Sequence, residues 1–177
     1  MNFYLDIKKF DEDPLRYLRA IRFASQLDFN IDDELFTKLR SMMQNSSLNE
    51  LPKERVFDEF KKILLKPLKP SKAFILLKQL DGFRYFKHFS KLLEKEFENI
   101  LLSLDFFASN KHNSDKTNLV IMLAIVIKPF DDEDKKGFLE KLTDEKKLIS
   151  QSIKLSKIEF DVENFDEYEL NILSTKT

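Results

Sequence analysis

Apolar positions along this chain return every three or four residues with polar ones between them, and that spacing predicts helices nearly throughout. The first runs from Pro14 to Leu27, with Leu15, Leu18, Ile21, Ala24 and Leu27 on a broad apolar face. Asp13-Pro14 marks its start: an acid to cap free N–H groups, then a proline where no N–H is needed. Asp32 or Asp33 opens a second helix that reaches about Met43 and ends at Asn45-Ser46-Ser47. Pro52 opens a third, with Val56, Phe57, Phe60, Ile63 and Leu64 on one side, and Pro67 and Pro70 close it. Ser71 is placed to cap a fourth, with Ala73, Phe74, Leu77 and Leu80 inward and Asp81-Gly82 as its stop.

Phe86, Phe89, Leu93, Phe97, Ile100, Leu104 and Phe107 step by threes and fours, which predicts one long fifth helix. Asn110 to Asp115 reads as a polar loop. Leu119 to Ile127 is apolar all round, the mark of a buried central helix, with a strand as the second choice. Weaker helices follow near Asp134–Leu142 and Asp144–Ile158, and the acidic stretch after Phe160 carries no clear pattern. The expected fold class is all-α. A soft boundary at Gly82–Tyr85 divides it into two helical domains, residues 1–82 and 83–177.

Composition narrows the function. The chain has 177 residues, enough to bury a core, and that core must rest on Phe, Leu and Ile because there are eighteen Phe and no Trp. With no Cys, disulfides and thiol catalysis are excluded, and a reducing cytoplasm is a fitting location. The only glycines are Gly82 and Gly137, so a Rossmann turn, a P-loop and a nucleophile elbow are all excluded. The opening residues MNFYLDIKKF lack the apolar stretch of a signal peptide, and the nine-residue run Leu119–Ile127 is about half of a membrane span. No membrane partner is expected.

Net charge is −1, but it is unevenly spread. From Lys61 to Lys91 nine Lys and Arg stand against one acid, Asp81; from Pro129 onward eight Lys face thirteen Asp and Glu. The middle of the chain attracts a polyanion and the last third repels one. Lys61, Lys62, Lys66, Lys69 and Lys72 are the candidate contacts for such a polyanion, with uneven surface charge on a Lys-rich chain as the plainer alternative.

The most informative stretch is Glu12-Asp13-Pro14-Leu15-Arg16-Tyr17-Leu18-Arg19-Ala20-Ile21-Arg22-Phe23-Ala24. Asp13 and Arg16, three apart at a helix start, share a face with Cβ atoms about 5–6 Å apart. A carboxylate only accepts hydrogen bonds and a guanidinium only donates them. Together they complement an edge with a donor beside an acceptor, as cytosine offers through its 4-amino group and N3, and adenine through its 6-amino group and N1. Uracil and guanine present a carbonyl beside an N–H, which meets like with like. An N-cap acid with a solvated arginine beside it is the plainer alternative reading of the same spacing.

That stretch closely resembles the neck of the bacterial class II tRNA nucleotidyltransferase and poly(A) polymerase family. The likeness continues through Leu27, Phe29 and Ile31, resumes at Leu51-Pro52-Lys53-Glu54-Arg55-Val56 with Glu59, and extends to Pro70-Ser71-Lys72-Ala73 and Leu76-Leu77. It covers roughly residues 10–86. The resemblance implies that Asp13 and Arg16 read the base of incoming CTP or ATP while Glu12 helps hold the motif. Arg19 and Arg22 order it or approach phosphate, and Arg55 and Glu59 support it; a plain surface pair between the last two is an equal alternative.

The family's catalytic head, with a Gly-Ser turn and an Asp-x-Asp pair for two metal ions such as Mg2+, has no counterpart in these residues. The chain is therefore expected to be inert alone, with no catalytic residue, metal or cofactor of its own. Asp11-x-Asp13 and Asp132-x-Asp134 have the letters without the context, and His88 and His112 offer no cluster. A weaker likeness joins Phe97–Leu101 and Leu123–Pro129 to the HD-type helical domain of some members, with Asn99 and Ala124-Ile125 standing where metal ligands would be. The leading reading is nucleotide selection and RNA binding for CCA addition to tRNA 3′ ends, with adenylation of RNA unseparated from it. A helical RNA-binding adaptor built on the neck scaffold, or a subunit that pairs with a separate head polypeptide, are the other readings.

Overall fold

The computed structural model describes residues 12–44, 47–111 and 114–158. These form eight α-helices and no strand: α1 (Arg16–Gln26), α2 (Asp33–Gln44), α3 (Lys53–Leu65), α4 (Ser71–Gln79), α5 (Glu94–Ser109), α6 (Asp115–Ile127), α7 (Asp132–Leu142) and α8 (Lys146–Ser156). The all-α expectation holds. The acidic stretch after Phe160, together with Asp11 and His112, lies outside the described residues.

Chain starts follow the capping chemistry in most places. Asp13 Oδ1 accepts from Leu15 N at 3.1 Å, but the first turn is closed by Arg16 N to Asp13 O and Tyr17 N to Pro14 O, so α1 proper begins two residues after the proline. Asp32 caps α2 by accepting from Leu35 N at 2.9 Å, Ser114 caps α6 through Thr117 N, and Asp131 caps α7 through Asp134 N. Ser71 departs from its expected role. It is the first helical residue of α4, and both its N–H and its hydroxyl donate to the Asp105 carboxylate of α5, at 2.9 and 2.6 Å. An acid on a neighbouring helix has taken over the cap.

The predicted fifth helix is shorter than its periodicity suggests. Phe89 belongs to a separate 3-10 turn at Lys87–Lys91, Phe86 stands just before it, and Leu92 and Leu93 are extended, with ψ of 141° and 153°. The helix restarts at Glu94, where Glu96 reaches back to accept from Leu93 N at 2.8 Å. A spacing of three serves a 3-10 turn as well as an α-helix, so the pattern ran through the break.

At the end of α4 the left-handed residue is Asp81 (φ 60°), held by Arg40 at 2.9 Å, while Gly82 has ordinary φ. Gly82 is needed for space: a Cβ there would lie 2.7 Å from the Tyr17 hydroxyl and 2.9 Å from Leu77. Tyr17 is fully buried and donates to Leu80 O at 3.0 Å, tying α1 to the end of α4. Burial, and then the charge of Asp81, push the Tyr17 hydroxyl well above the usual phenol range, so it stays a donor.

One apolar core runs from Leu15 to Leu155. Phe60 of α3 packs against Phe74 of α4, Phe86 before α5 and Phe138 of α7, with ring centroids 5.3–6.0 Å apart. α6 is the central helix foreseen from its unbroken apolar run, and it packs against α3, α5 and α8. Of the residues singled out in the two segments likened to an HD-type domain, Ala124 is buried in α6 and Asn99 is exposed on α5. No described helix is long and apolar enough to cross a membrane.

Candidate functional site

Helix α3 grips α1 at two places one turn apart on its own axis. Arg55 Nη2 reaches the Asp13 carboxylate at 3.2 Å (Oδ2) and 3.4 Å (Oδ1). Glu59 accepts from Arg22 Nε at 2.8 Å on one oxygen and from Lys62 Nζ at 3.0 Å on the other. Arg55 and Glu59 are thus not a pair with each other, although they stand four apart; each takes a partner from α1 or the turn that opens it.

The two clamps differ in burial. The Arg22 and Glu59 side chains are 11% and 7% exposed, so that pair is part of the α1–α3 interface. Burial alone raises the Glu59 pKa, but the bonds from Lys62 and Arg22 outweigh it and hold the carboxyl below its ordinary value of 4.5. Its contribution is therefore complete above about pH 4.5 and is lost as pH falls through the lowered folded-state value. Glu59→Gln is expected to cost about 1–3 kcal/mol at neutral pH by leaving Arg22 without its acid. In denaturation measured across pH, the gap between wild type and variant should close below pH 4.5; a constant gap would contradict the assignment.

Asp13 is held without being sealed. Its carboxylate has about four acceptor positions; Leu15 N and Arg55 use some, and 26% of the side chain stays open to solvent. Arg16 is half-buried one helical turn further on, and Glu12 and Arg19 are exposed on either side. Lys53, at the start of α3, makes an ion pair with Asp144 in the turn between α7 and α8, so that turn also borders this end of the bundle.

The candidate backbone lysines fall into two groups. Lys61 pairs with Asp58 at 3.1 Å, Lys62 with Glu59, and Lys72 with Asp28 at 2.8 Å. Lys66 and Lys69, in the turn between α3 and α4, are exposed and have no ion pair among the described residues. Asp28 is itself left-handed (φ 53°) at the end of α1, where Phe29 N bonds to Ala24 O at 3.2 Å. Helices more often take a glycine there.

Of the two acidic pairs, Asp11-x-Asp13 is not fully within the described residues, and both members of Asp132-x-Asp134 are held by lysines. Lys91 bonds both oxygens of Asp134, at 2.8 and 2.6 Å, and Lys157 holds Asp132 at 2.8 Å. No group of three or more metal-ligating side chains is gathered among the described residues. His88 lies between Phe130 and Phe138, and burial lowers its pKa.

Residues 28–93 match the family described as "Probable RNA and SrmB- binding site of polymerase A". The CCA-adding enzyme of Lactococcus lactis subsp. cremoris (strain MG1363) is 32% identical over 135 residues, which are 76% of this chain and 31% of that protein. That of Streptococcus pyogenes serotype M5 (strain Manfredo) is 33% identical over 136 residues, 75% of this chain and 31% of its own. The Thermotoga maritima CCA-adding enzyme complexed with tRNA superposes on 86% of the chain with a TM-score of 0.61 and 25% identity. The chain belongs to the CCA-adding enzyme family.

A CCA-adding enzyme solved with CTP gives the same coverage, TM-score and identity. The chain spans about a third of the length of the relatives it matches: 31% of the curated sequences and 37% of the structures. The superposition takes in most of the helical chain, and the lysine-bearing turn after α3 falls within the residues matched by the RNA-binding family.

Proposed function

We propose that this chain supplies base selection and RNA contact for CCA addition to tRNA 3′ ends, with the chemistry carried out by a nucleotidyltransferase head. The observation that carries the reading is the state of Asp13: fixed by Leu15 N and Arg55, open on one side, and one turn from Arg16. A pre-set acceptor beside a donor favours the amino-bearing edges of cytosine and adenine. No template strand is needed, because the protein supplies the pairing partner.

In this reading Asp13 accepts the base's amino hydrogen and Arg16 donates to the neighbouring ring nitrogen. Arg55 is a positioning residue that acts through Asp13. Glu12 and Arg19 flank the nucleotide, while Arg22 and Glu59 keep α1 in register on α3. CTP and ATP are substrates. Mg2+ belongs with the head, since Asp132 and Asp134 are already held by lysines and Asp131 by a backbone N–H.

The RNA backbone is assigned to the turn and helices around Lys61, Lys62, Lys66, Lys69 and Lys72. The match of residues 28–93 to an RNA-binding family and the tRNA-bound relative support that assignment. Lys66 and Lys69 are the sharpest test, because neither holds a structural ion pair among the described residues. Lys66→Glu with Lys69→Glu is expected to weaken tRNA binding at least tenfold near 0.1 M salt, and to reduce the slope of log K against log[salt] by about one for each phosphate no longer neutralised. Unchanged affinity and slope would place the RNA elsewhere.

A further inference from the structure

The turn joining α3 to α4 is built the wrong way round for a simple connector. In Lys66-Pro67-Leu68-Lys69-Pro70 both prolines are buried, while Leu68 between them is 81% exposed, the most exposed of the chain's large apolar residues described. Proline fixes φ, so two buried prolines hold the backbone and keep the leucine outward. Lys111 Nζ donates to Leu65 O at 2.6 Å just before the turn, and Lys69 O accepts from Ser25 of α1 at 3.2 Å. The turn is pinned from both sides.

Its neighbours share the same pairing of apolar and charged groups. Lys72 holds Asp28, and the residue before that acid, Leu27, is 55% exposed. Ser71 holds Asp105, and the residue after that acid, Phe106, is 40% exposed. Single exposed apolar residues are ordinary on a soluble protein. Leu68 differs in standing on a pinned turn between two exposed lysines, Lys66 and Lys69, so that apolar contact and positive charge are offered together.

We propose that the Lys66–Pro70 turn receives unpaired or looped nucleotides of the RNA, Leu68 packing on the exposed face of a base or its ribose while Lys66 and Lys69 take the adjoining phosphates. The chemistry selects this occupant. A paired duplex shows a protein its phosphates and grooves and keeps its base faces stacked inside, whereas looped nucleotides expose an apolar face within a nucleotide's length of a phosphate. The inference rests on the reading that the chain binds RNA, and adds which feature of the RNA this turn meets.

The test is a binding titration of the 177-residue chain with a tRNA, and with a blunt, fully paired RNA duplex of similar length. Leu68→Ser removes only an exposed side chain, so the fold is retained. It is expected to weaken tRNA binding about five- to tenfold, the scale of removing one partly buried aliphatic side chain from an interface, with the salt slope and duplex affinity unchanged. Wild-type tRNA binding that depends on Lys66 and Lys69 but not on Leu68 overturns this inference and leaves the RNA-binding reading standing. No RNA binding by the wild type overturns both. An equal drop in affinity for tRNA and duplex overturns the assignment to unpaired nucleotides. Weaker self-association in Leu68→Ser, with RNA binding intact, would make the turn a protein contact and overturn the proposal as well.

Discussion

Replacing Asp13 with asparagine, in a preparation where this chain works with a nucleotidyltransferase head, is expected to lower the preference for CTP over UTP by about two orders of magnitude. The carboxylate can only accept, and Leu15 N and Arg55 fix where its free acceptor positions lie. Cytosine places an amino group there. Uracil places a carbonyl there, and its ring N–H then faces Arg16, so two buried polar groups go unpaired at about 1–3 kcal/mol each. Asparagine has an amide that can turn either end outward, so it accepts from cytosine or donates to uracil with little difference. The quantity to measure is the ratio of kcat/KM for the two nucleotides, because discrimination resides in the transition state for the same site. Arg55→Ala should move the ratio in the same direction by a smaller factor, since Asp13 keeps its bond from Leu15 N.

The largest structural effect is expected from Phe60→Ala. Phe60 is fully buried and touches rings from α4, from the segment before α5, and from α7. Removing a ring from such a site costs about 3–5 kcal/mol, through forfeited transfer energy and the cavity left behind. That is a large share of the roughly 5–15 kcal/mol that holds a domain folded. Because the ring bridges residues on both sides of Gly82, the effect should be felt along the whole bundle. Hydrogen exchange is the readout: protection in α1 and in α7 should fall together. A fall confined to α3 and α4 would show that the core is not shared as the ring packing implies.

How much of this was legible in the sequence differs between fold and site. The apolar run of α6 pointed first to a buried helix, because an element that is apolar on every side must be covered on every side, and nine residues are long for a strand. The start of α2 was also plain, since an aspartate caps through its own nearby N–H groups and needs no distant partner, whereas α7 begins at Asp132 behind its Asp131 cap, ahead of the expected Asp134. The break before α5 was hidden. Leu92 and Leu93 are neither glycine nor proline, and the capping acid is Glu96, inside the next helix.

Ser71 shows the same limit in another form: its cap comes from Asp105, thirty-four residues away, which no local pattern announces. The family motif brought attention to Asp13, Arg16, Arg55 and Glu59, but not to who holds whom. A spacing of four between Arg55 and Glu59 favours a mutual pair on an isolated helix. The packed chain sends one to Asp13 and the other to Arg22, because α1 lies across α3 and offers each an opposite charge. The turn around Leu68 was read from sequence as a helix stop flanked by candidate contact lysines, with no role seen for the leucine. Its outward leucine follows from both prolines being buried, and that depends on α1 and α5 beside it.

The most direct test of the central claim is nucleotide incorporation into tRNA lacking its 3′ CCA, by this chain combined with a head that carries the Gly-Ser turn and Asp-x-Asp pair. Incorporation from CTP and ATP, with UTP and GTP excluded, and its disappearance in both Asp13→Ala and Arg16→Ala, is the predicted result. Equal incorporation by wild type and both variants, with unchanged choice among the four nucleotides, would contradict it.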